Sequence, residues 1–531
     1  MKKRYFFGLI VFSLLAIVGC EDLDTYPQGD IITSDIKVDV NSNDPEKAVA
    51  AVNGIFAQFN TFMPNRIAFN DVERHNDFGY PSVMLFTDAN GNDVVSTDNG
   101  YNWMGSSLEF YDRTITSYEC QIVWNDMYAI ISAANRVVGA IDEDTDDPLS
   151  MHYLAQGLSV RAYSYFIFAQ LYQFNYVGNQ DKPCVPIITP ENSDFAALNG
   201  APRATVGEVY DLINTDLGKA ITLLTSAEEG GAVRSDKRYI SLAVAYGIRA
   251  RVNLTMHKMG EAVSDAEKAI ANFDGEPAGL TDVNVPSFMS IKEKNWMWGI
   301  PISETDRVVT SGIVNWISHM GSLNSGYAQY SMGFQINKAL FNSINTTDIR
   351  KGWWLNEDTT SVNLNAEQLG YMHASGFAPY TQVKFAPYDN VVANSTNAND
   401  IPLMRVEEMY LILAEAQGEG AGKATLENFI KTYRDPGYTY SASDFTQEVF
   451  RHRRIELWGE GLNWYDIMRL NVGVDRRGGG YPNATMVFHI QPTDNILLWR
   501  LPEAEIEANV ALTPADNNPP ASAPEPVDDI D

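Results

Sequence analysis

The stretch from Tyr239 to Ile270 constrains the fold of this 531-residue chain more than any other part of it. Small residues stand at Ala250, Ala262 and Ala269, 12 and then 7 positions apart, and Gly260 interrupts the pattern. The spacing predicts two antiparallel helices that turn at Gly260 and approach closely at the alanines. Such a hairpin leaves an apolar face uncovered, so neighbouring helix pairs must pack against it.

This pattern resembles the small positions of a tetratricopeptide repeat, although Asn253 and Asp274 replace the repeat's usual aromatic residue and proline. Similar but more degenerate helix pairs are expected over residues 118–174 and 404–433. Thr205 is a plausible N-cap for a further helix. We therefore predict a mainly α fold, built as a scaffold of tetratricopeptide-like helical hairpins.

Helical periodicity fails between about residues 281 and 401. This stretch is rich in Asn, Ser, Gly and aromatic residues, and a structureless connection of such length is improbable inside a compact domain. We predict a packed, irregular, aromatic-rich insertion in a single domain that spans residues 45–509, followed by a disordered tail over 510–531. The insertion holds five of the ten tryptophans: Trp296, Trp298, Trp316, Trp353 and Trp354.

Residues 1–19 are typical of a removable signal peptide. Three basic residues precede an uncharged run from Tyr5 to Val18, which is shorter than the about 20 apolar residues that cross a bilayer. The following Gly19-Cys20 resembles a lipoprotein processing site. We predict that Cys20 is the acylated first residue of the mature protein and that residues 20–44 are a linker. An ordinary secretory signal with an incidental cysteine is the alternative.

The formal net charge is −30, and loss of Lys2, Lys3 and Arg4 with the leader would make it −33. A field of this sign repels nucleic acid and anionic lipid. We therefore expect a neutral ligand, no nucleic-acid partner, and membrane contact through the lipid anchor alone.

The sequence gives no positive argument for catalysis or for a cofactor. It contains no HExxH, GxSxG, P-loop or GxGxxG motif. The segment from Asp88 begins like a calcium loop, but Asp93 and Asn99 stand where a glycine and a bidentate glutamate belong. We predict no enzyme activity and no metal or cofactor, with a looser structural calcium ion left open.

Cys120 and Cys184 are expected to be buried and free, with a disulfide between them as the alternative.

The segment EVFRHRRIELWGEGLNWYDIMRL, residues 448–470, resembles the signature of SusD/RagB-like outer-membrane nutrient-binding lipoproteins. Supporting similarity lies in RVEEMYLILAEA from Arg405, PRATVGEVYDLINTDL from Pro202 and LPEAEIEANVALT near the end. With the leader, the resemblance covers almost the whole chain. The matching residues of the signature are Arg453, Arg454, Glu456, Leu457, Glu460, Gly461, Trp464, Asp466 and Arg469.

The charged residues of this signature are predicted to support the fold. Arg453, Arg454 and Arg469 can pair with Glu456, Glu460 and Asp466 across a glycine turn between two helices, as partly buried charges require. A catalytic carboxylate pair is the rival interpretation. We disfavour it because each acid has an arginine nearby that would keep it ionised and occupied.

The resemblance implies a surface lipoprotein of the outer membrane that binds glycans, or peptides in some members. It also implies a partner, a SusC-like TonB-dependent transporter, on which the protein sits as a lid. Glu21, Asp22 and Asp24 resemble the acidic signals that export some lipoproteins to the outer face. A surface glycan hydrolase, whose two carboxylates can lie anywhere in the sequence, and a scaffold that binds only proteins remain as rivals.

Sugars present apolar faces that stack on Trp and Tyr, and hydroxyls that need polar partners. Two regions combine these residue types, and family members place ligand contacts in the same parts of the chain. We expect Trp103 and Trp316 to form one aromatic platform, with core packing as the alternative for any single aromatic residue. The candidate ligand-binding residues are Arg74, Asp77, Tyr80, Asn99, Tyr101, Asn102 and Trp103, and, in the insertion, Trp296, Trp298, Trp316, Tyr327 and Tyr330.

The lipid-anchor hypothesis has a direct test. A Cys20→Ala protein should be unprocessed or unanchored, because the acyl chains would have no attachment site. Fractionation of cells that express the variant, with mass spectrometry of its N-terminus, measures both effects. Recovery of the variant in the membrane fraction, cleaved at the same place as the parent, would contradict the assignment.

Overall fold

The computed structural model describes residues 45–97, 99–232 and 234–530. The predicted signal peptide, Cys20 and the linker lie outside these residues. Within them the protein is mainly helical, as the sequence predicts. No helix in this part of the chain is both long and apolar enough to span a bilayer.

Residues 45–271 form the first part of the helical scaffold. Ser117, Asp147 and Thr205 each cap a long helix by accepting a hydrogen bond from a backbone N–H of its first turn. The elements are α1 (Pro45–Gln58), α2 (Tyr80–Asn90), β1 (Val94–Val95), α3 (Gly105–Leu108), a 3₁₀ turn (Tyr111–Arg113), α4 (Tyr118–Val138), α5 (Pro148–Tyr172), α6 (Ser193–Asn199), α7 (Val206–Glu229), α8 (Leu242–Thr255) and α9 (Met259–Ala271).

The predicted hairpin is the pair α8 and α9, and its three alanines are fully buried where the helices meet. The turn was expected at Gly260, but that residue lies in the first turn of α9. The chain reverses earlier, at His257, which has a left-handed φ of 57°. Helices α4 and α5 form the second predicted pair, and α7 packs along α5.

The insertion is packed, as predicted, and an antiparallel ladder closes it. In this ladder Trp296 lies opposite Arg405, and Ile300 lies opposite Ile401. All five of its tryptophans are buried. From residue 280 the elements are α10 (Leu280–Val283), β2 (Trp296–Ile300), α11 (Arg307–Thr310), α12 (Trp316–Met320), α13 (Tyr327–Tyr330), β3 (Gln335–Ile336), α14 (Lys338–Asn342), a 3₁₀ turn (Ile349–Trp353), α15 (Ala366–Ala374), a 3₁₀ turn (Tyr388–Asn390) and β4 (Ile401–Arg405).

The chain returns to helices after β4. Gly418, with a φ of 69°, breaks α16 into the helix pair expected over 404–433. These last elements are α16 (Val406–Tyr433), α17 (Phe445–Glu456), α18 (Asn463–Leu470), β5 (Val474–Asp475), a 3₁₀ turn (Ala484–Met486), β6 (His489–Ile490), a 3₁₀ turn (Asn495–Leu497), α19 (Glu503–Ala508) and a 3₁₀ turn (Pro514–Asp516).

The packed body extends beyond residue 509, where the sequence analysis placed its end. Leu512 and Asn518 are both buried. The Asn518 side-chain amide donates hydrogen bonds to the carbonyl oxygens of Tyr172 at 2.8 Å and Trp499 at 2.7 Å. These bonds satisfy two backbone acceptors, so residues up to 518 belong to the folded domain.

A buried ionic cluster lies where the insertion meets the last helices. The Glu456 carboxylate accepts hydrogen bonds from Arg434 at 2.7 and 2.8 Å, from Arg405 at 3.1 Å and from Arg350 at 3.2 Å. Arg405 also pairs with Glu460, at 2.8 Å. Burial alone would raise the pKa of Glu456, but the three guanidinium groups hold it well below its usual value.

The predicted ion pairing between the two signature helices is confirmed for Asp466. Its carboxylate accepts from Arg453 of α17 at 2.7 Å and from Arg469 of α18 at 2.8 Å. Arg454 behaves differently, because it points away from α18 and pairs with Asp93 beside β1. The signature thus ties α17 both to α18 and to the segment that follows α2.

Removal of the central carboxylate should destabilise the fold strongly. Glu456→Gln leaves three buried arginines without their shared partner, and breaking a buried pair costs about 3 to 5 kcal/mol. We expect a large fall in melting temperature. Glu276→Gln is the matched control, because Glu276 and its partner Lys294 are both mostly exposed and it should change stability little. Equal melting temperatures for the two variants would contradict the structural role of Glu456.

Candidate functional site

Three of the predicted ligand-binding tryptophans are in the core. Trp296, Trp298 and Trp316 are at most 1% exposed. Trp316 meets Phe385 edge-on, with ring centroids 5.1 Å apart, and Trp298 donates its indole N–H to the carbonyl oxygen of Arg238 at 3.0 Å. None of the three rings presents a face to solvent. The predicted platform of Trp103 and Trp316 is therefore wrong, because Trp316 is buried. An insertion without long helices needs large apolar side chains to form its own core, and Trp316 is one of them.

Three predicted polar residues are also buried, and they shape the loops. The hydroxyl oxygens of Tyr80 and Tyr163 are 2.6 Å apart. Asn102 donates to the carbonyl oxygen of Thr97 at 2.7 Å and accepts from the backbone N–H of Met104 at 3.0 Å. Asp77, 1% exposed, accepts hydrogen bonds from Asn65. These side chains hold neighbouring residues in position.

Arg74 and Trp103 do lie together. The Arg74 guanidinium lies 4.9 Å above the Trp103 ring and 4.5 Å from the Tyr118 ring, and donates to Glu119 at 2.9 Å. The His75 ring stacks on the Trp103 ring, with their centroids 5.0 Å apart. Trp103 is half-buried, so one part of its ring remains at the surface.

Tyr327 brings the insertion to the same place. Its hydroxyl contacts Nδ1 of His75, and its ring stacks on His319 at a centroid distance of 4.8 Å. His319 in turn contacts the carbonyl oxygen of His75 through Nε2, at 2.8 Å. Burial lowers the pKa of both histidines, that of His319 to about 4, so both rings are neutral at pH 7. This pair of histidines leaves no local signal in the sequence, because the two residues are more than 240 positions apart.

Tyr101 and Tyr330 are large aromatic candidates that remain exposed, at 57% and 53%. Their ring centroids are 5.8 Å apart, and the ring planes differ by 36°. Asn99 holds them together, since its amide donates to the carbonyl oxygen of Tyr330 at 2.9 Å and its oxygen accepts from the N–H of Tyr101 at 3.1 Å. We call Tyr101, Trp103 and Tyr330 the aromatic face. The predicted ligand residue Tyr327 is only 7% exposed and packs edge-on against Trp103, with ring centroids 6.1 Å apart, so it supports this face from within.

The aromatic face suits a flat ligand with apolar and polar parts. Its rings come from two segments more than 200 residues apart in sequence, joined by hydrogen bonds such as that from Thr97 to the carbonyl oxygen of Ser331, 3.1 Å. The hydroxyl groups of Tyr101 and Tyr330 make no hydrogen bond with the residues that the structure describes, and are free to contact a ligand. Apolar ring faces with polar tips are common in carbohydrate and peptide sites alike.

Asp77, three residues after Arg74, forms a buried carboxylate pair with Asp126. The Asn65 side-chain nitrogen donates to one oxygen of Asp77 and one of Asp126, at 2.9 Å each. Burial raises the pKa of Asp77 to about 6. Burial, and then repulsion by Asp77, raise the pKa of Asp126 well above its usual value. The pair therefore holds a proton at mildly acidic pH.

The segment that begins like a calcium loop uses its polar groups within the protein. Asp88 accepts from the backbone N–H of Gly461 at 2.9 Å, Asn90 donates to Asp112 at 2.8 Å, and Asp93 pairs with Arg454. In residues 45–97, 99–232 and 234–530, no three His, Cys, Asp or Glu side chains gather closely enough to hold a metal ion.

Cys120 and Cys184 are both buried and free, as expected, and burial raises the pKa of each thiol to about 12. A cleft of about 720 Å³ lies between the end of α1 and residues 300–307, and none of the predicted ligand residues lines it.

Comparisons with known proteins agree with the sequence resemblance. Residues 41–254 match a family described as SusD-like, starch-binding associating with outer membrane, and residues 316–518 match the SusD family. SusD-like protein P2 of Formosa agariphila is 25% identical, over 97% of this chain and 99% of its own. A SusD-like protein of Bacteroides ovatus is 21% identical over 74% of this chain and 72% of its own.

Solved structures share the fold. A SusD-like carbohydrate-binding protein of Bacteroides vulgatus has a TM-score of 0.70 and 23% identity, and covers 90% of this chain and 98% of that chain. A laminarin-binding SusD-like protein has a TM-score of 0.60 and 17% identity, and covers 90% and 99% respectively.

The carboxylate pair predicts a pH-dependent stability. Because burial raises the folded pKa of Asp77 to about 6, its contribution to stability is full below about pH 4 and is lost as pH rises through about 6. The pKa of Asp126 is also raised, so Asp126 acts in the same direction. Asp126→Asn removes one titrating group, so its melting temperature should fall less than that of the parent between about pH 5 and about pH 7.5. Asp181→Asn, at an exposed position, is the control and should follow the parent. Parallel curves for all three proteins would contradict the coupling.

Proposed function

Because the chain belongs to the SusD family, we propose that it captures oligosaccharides at the cell surface through the aromatic face. The observation that carries this proposal is the exposed pair of Tyr101 and Tyr330 beside Trp103. Each tyrosine is more than half exposed although large apolar rings are usually buried, and Asn99 fixes their relative position. A surface held in this way loses little entropy on binding.

The geometry fits the chemistry of sugars. A pyranose ring has a face of C–H groups that can cover a tyrosine or tryptophan ring, while its hydroxyls point outward. Tyr101 and Tyr330 are tilted by 36°, so successive sugar rings of a curved or twisted chain could each meet one of them. The two free tyrosine hydroxyls and the partly exposed Arg74 would bind ligand hydroxyls. The resemblance to carbohydrate-binding structures supports this ligand class.

Under this proposal the protein is a lipoprotein of the outer membrane, anchored through Cys20 and facing the exterior. It delivers its ligand to a SusC-like TonB-dependent transporter as a step in nutrient uptake. The family description that refers to the outer membrane supports the same location.

Binding is favoured over hydrolysis by the state of the nearby acids. A glycosidase needs two carboxyl groups that flank the scissile bond. Glu119, next to the aromatic face, is 2% exposed and engaged by Arg74 and Asn76, and Asp77 is buried. We therefore propose a protein that is not an enzyme. Peptide capture is the second candidate, because the same rings can pack on apolar side chains.

The test begins with a glycan array and a peptide array on the detergent-solubilised full-length protein. Calorimetry with the best ligand then compares the parent with Tyr101→Ala and Tyr330→Ala. Removal of an aromatic residue at a binding hot spot should lower affinity by about thirtyfold or more. Tyr111→Ala is the matched control, since Tyr111 is 55% exposed but lies outside the aromatic face. Melting curves should be alike for all variants.

Unchanged affinity in both tyrosine variants would overturn the assignment of the aromatic face. A ligand found only among peptides would favour the second candidate. Release of reducing sugar from a bound glycan would contradict the absence of enzyme activity.

A further inference from the structure

The cleft at the end of α1, which we call the α1 cleft, has the size of a ligand site. Its volume is about 720 Å³, within the range of pockets that hold small molecules. Its walls combine apolar and polar groups, as such sites do. Its lining includes Phe62, Arg238, Ile302, Asp306 and Arg307.

Two arginines line this cleft although the whole protein is strongly acidic. The Arg307 guanidinium lies 5.2 Å from the centre of the Phe62 ring. Its side chain forms no ion pair or hydrogen bond within the described ranges. Arg238 has one loose ion pair, at 3.6 Å to Asp236, in which both side chains are more than a third exposed. The Nε of Arg238 is buried and has no hydrogen-bond partner in this part of the chain.

Among the described residues, Asp236 is the one acid that forms an ion pair with an arginine of the cleft, at 3.6 Å from Arg238. Asp306 lines the cleft, but its carboxylate accepts the backbone N–H of Ser303 at 2.8 Å and forms no salt bridge with Arg307 among the described residues. By contrast, the cluster around Glu456 pairs each buried arginine with a carboxylate at close range. The α1 cleft therefore has unpaired donors where most of the protein has paired ones.

Arg238 stands on a rigid support. The indole of Trp298 in β2 donates to the carbonyl oxygen of Arg238 at 3.0 Å, and the N–H of Gly299 donates to that of Lys237 at 3.2 Å. The edge of β2 thereby fixes the backbone at Arg238, and the Phe62 ring supports Arg307. Groups held in this way bind a ligand without a large entropic cost.

We propose that the α1 cleft binds an acidic group, a carboxylate or a sulfate ester, carried by a sugar chain. The planar guanidinium groups of Arg238 and Arg307 match the paired oxygens of such groups, and Phe62 and Ile302 provide an apolar surface for the ring that bears them. The inference rests on the proposed function for its glycan and adds the chemical class. The expectation of a neutral ligand follows from the net charge, whereas charge at a site is set by the groups that line it.

Paired probes test this inference on the detergent-solubilised full-length protein. Calorimetry compares an oligogalacturonate with its methyl ester, and a sulfated oligosaccharide with its desulfated form. At least one acidic form should bind about tenfold or more tightly than its neutral counterpart. This advantage should shrink as sodium chloride is raised. It should be lost in Arg238→Gln and Arg307→Gln, and partly retained in Arg238→Lys.

Arg136→Gln is the matched control, because it removes one exposed positive charge from α4 outside the cleft. It should bind the acidic probes as the parent does. Melting curves exclude loss of fold as the cause of weaker binding. A preference for the carboxylate pair or for the sulfate pair alone would support the inference and identify the acidic group.

The inference and the proposed function can fail separately. Equal affinity for acidic and neutral forms, or full affinity in the arginine variants, would overturn the inference. Binding of no acidic probe would overturn it as well. Tyr101→Ala and Tyr330→Ala with unchanged affinity for a neutral glycan would instead count against the proposed function of the aromatic face.

Discussion

The buried Glu456 carboxylate accepts hydrogen bonds from three arginines, and the rest of the structure depends on this interaction. Its partners come from the insertion, from the end of β4 and from the end of α16, so one carboxylate joins three parts of the chain. Burial of any one of these charges alone would cost free energy. The ionic cluster can therefore form only when the insertion, β4 and α16 are all in place. The same helix, α17, sends Arg454 to Asp93 and thereby fixes β1, which pairs with β3 of the insertion.

This chain of contacts explains how the aromatic face forms. The pairing of β1 with β3 places Val94 opposite Ile336, and the loops that follow and precede these strands then meet. Ser96 and Asn99 bind backbone oxygens of residues 330–333 in the insertion. The exposed rings of Tyr101 and Tyr330 therefore lie in loops that are positioned by the pairing of β1 with β3 and by the buried ionic contacts. The sequence of these loops can change without loss of those contacts.

Sequence patterns predicted the parts of the fold that depend on local spacing. The alanines of α8 and α9, the cap at Thr205 and the pairing of Asp466 with neighbouring arginines all follow from residues close in the chain. Local spacing could not predict that Trp316 is buried and Tyr330 exposed, because both residues lie in short helices of an irregular insertion. The contact of His75 with His319, and the presence of Arg238 and Arg307 in one cleft, arise from long-range packing that leaves no local signal.

The ladder between β2 and β4 has a consequence for how such proteins diversify. It brings the two ends of the insertion side by side, with Trp296 opposite Arg405. The insertion is therefore a closed loop whose two ends are held together by the ladder. The entropy of closing such a loop grows only slowly with its length. Changes of length in loops of the insertion that include neither Arg350 nor β3 therefore cost little free energy and leave the helical hairpins unchanged. The length of these loops is thus weakly constrained by stability, whereas the contacts between the helices are strongly constrained.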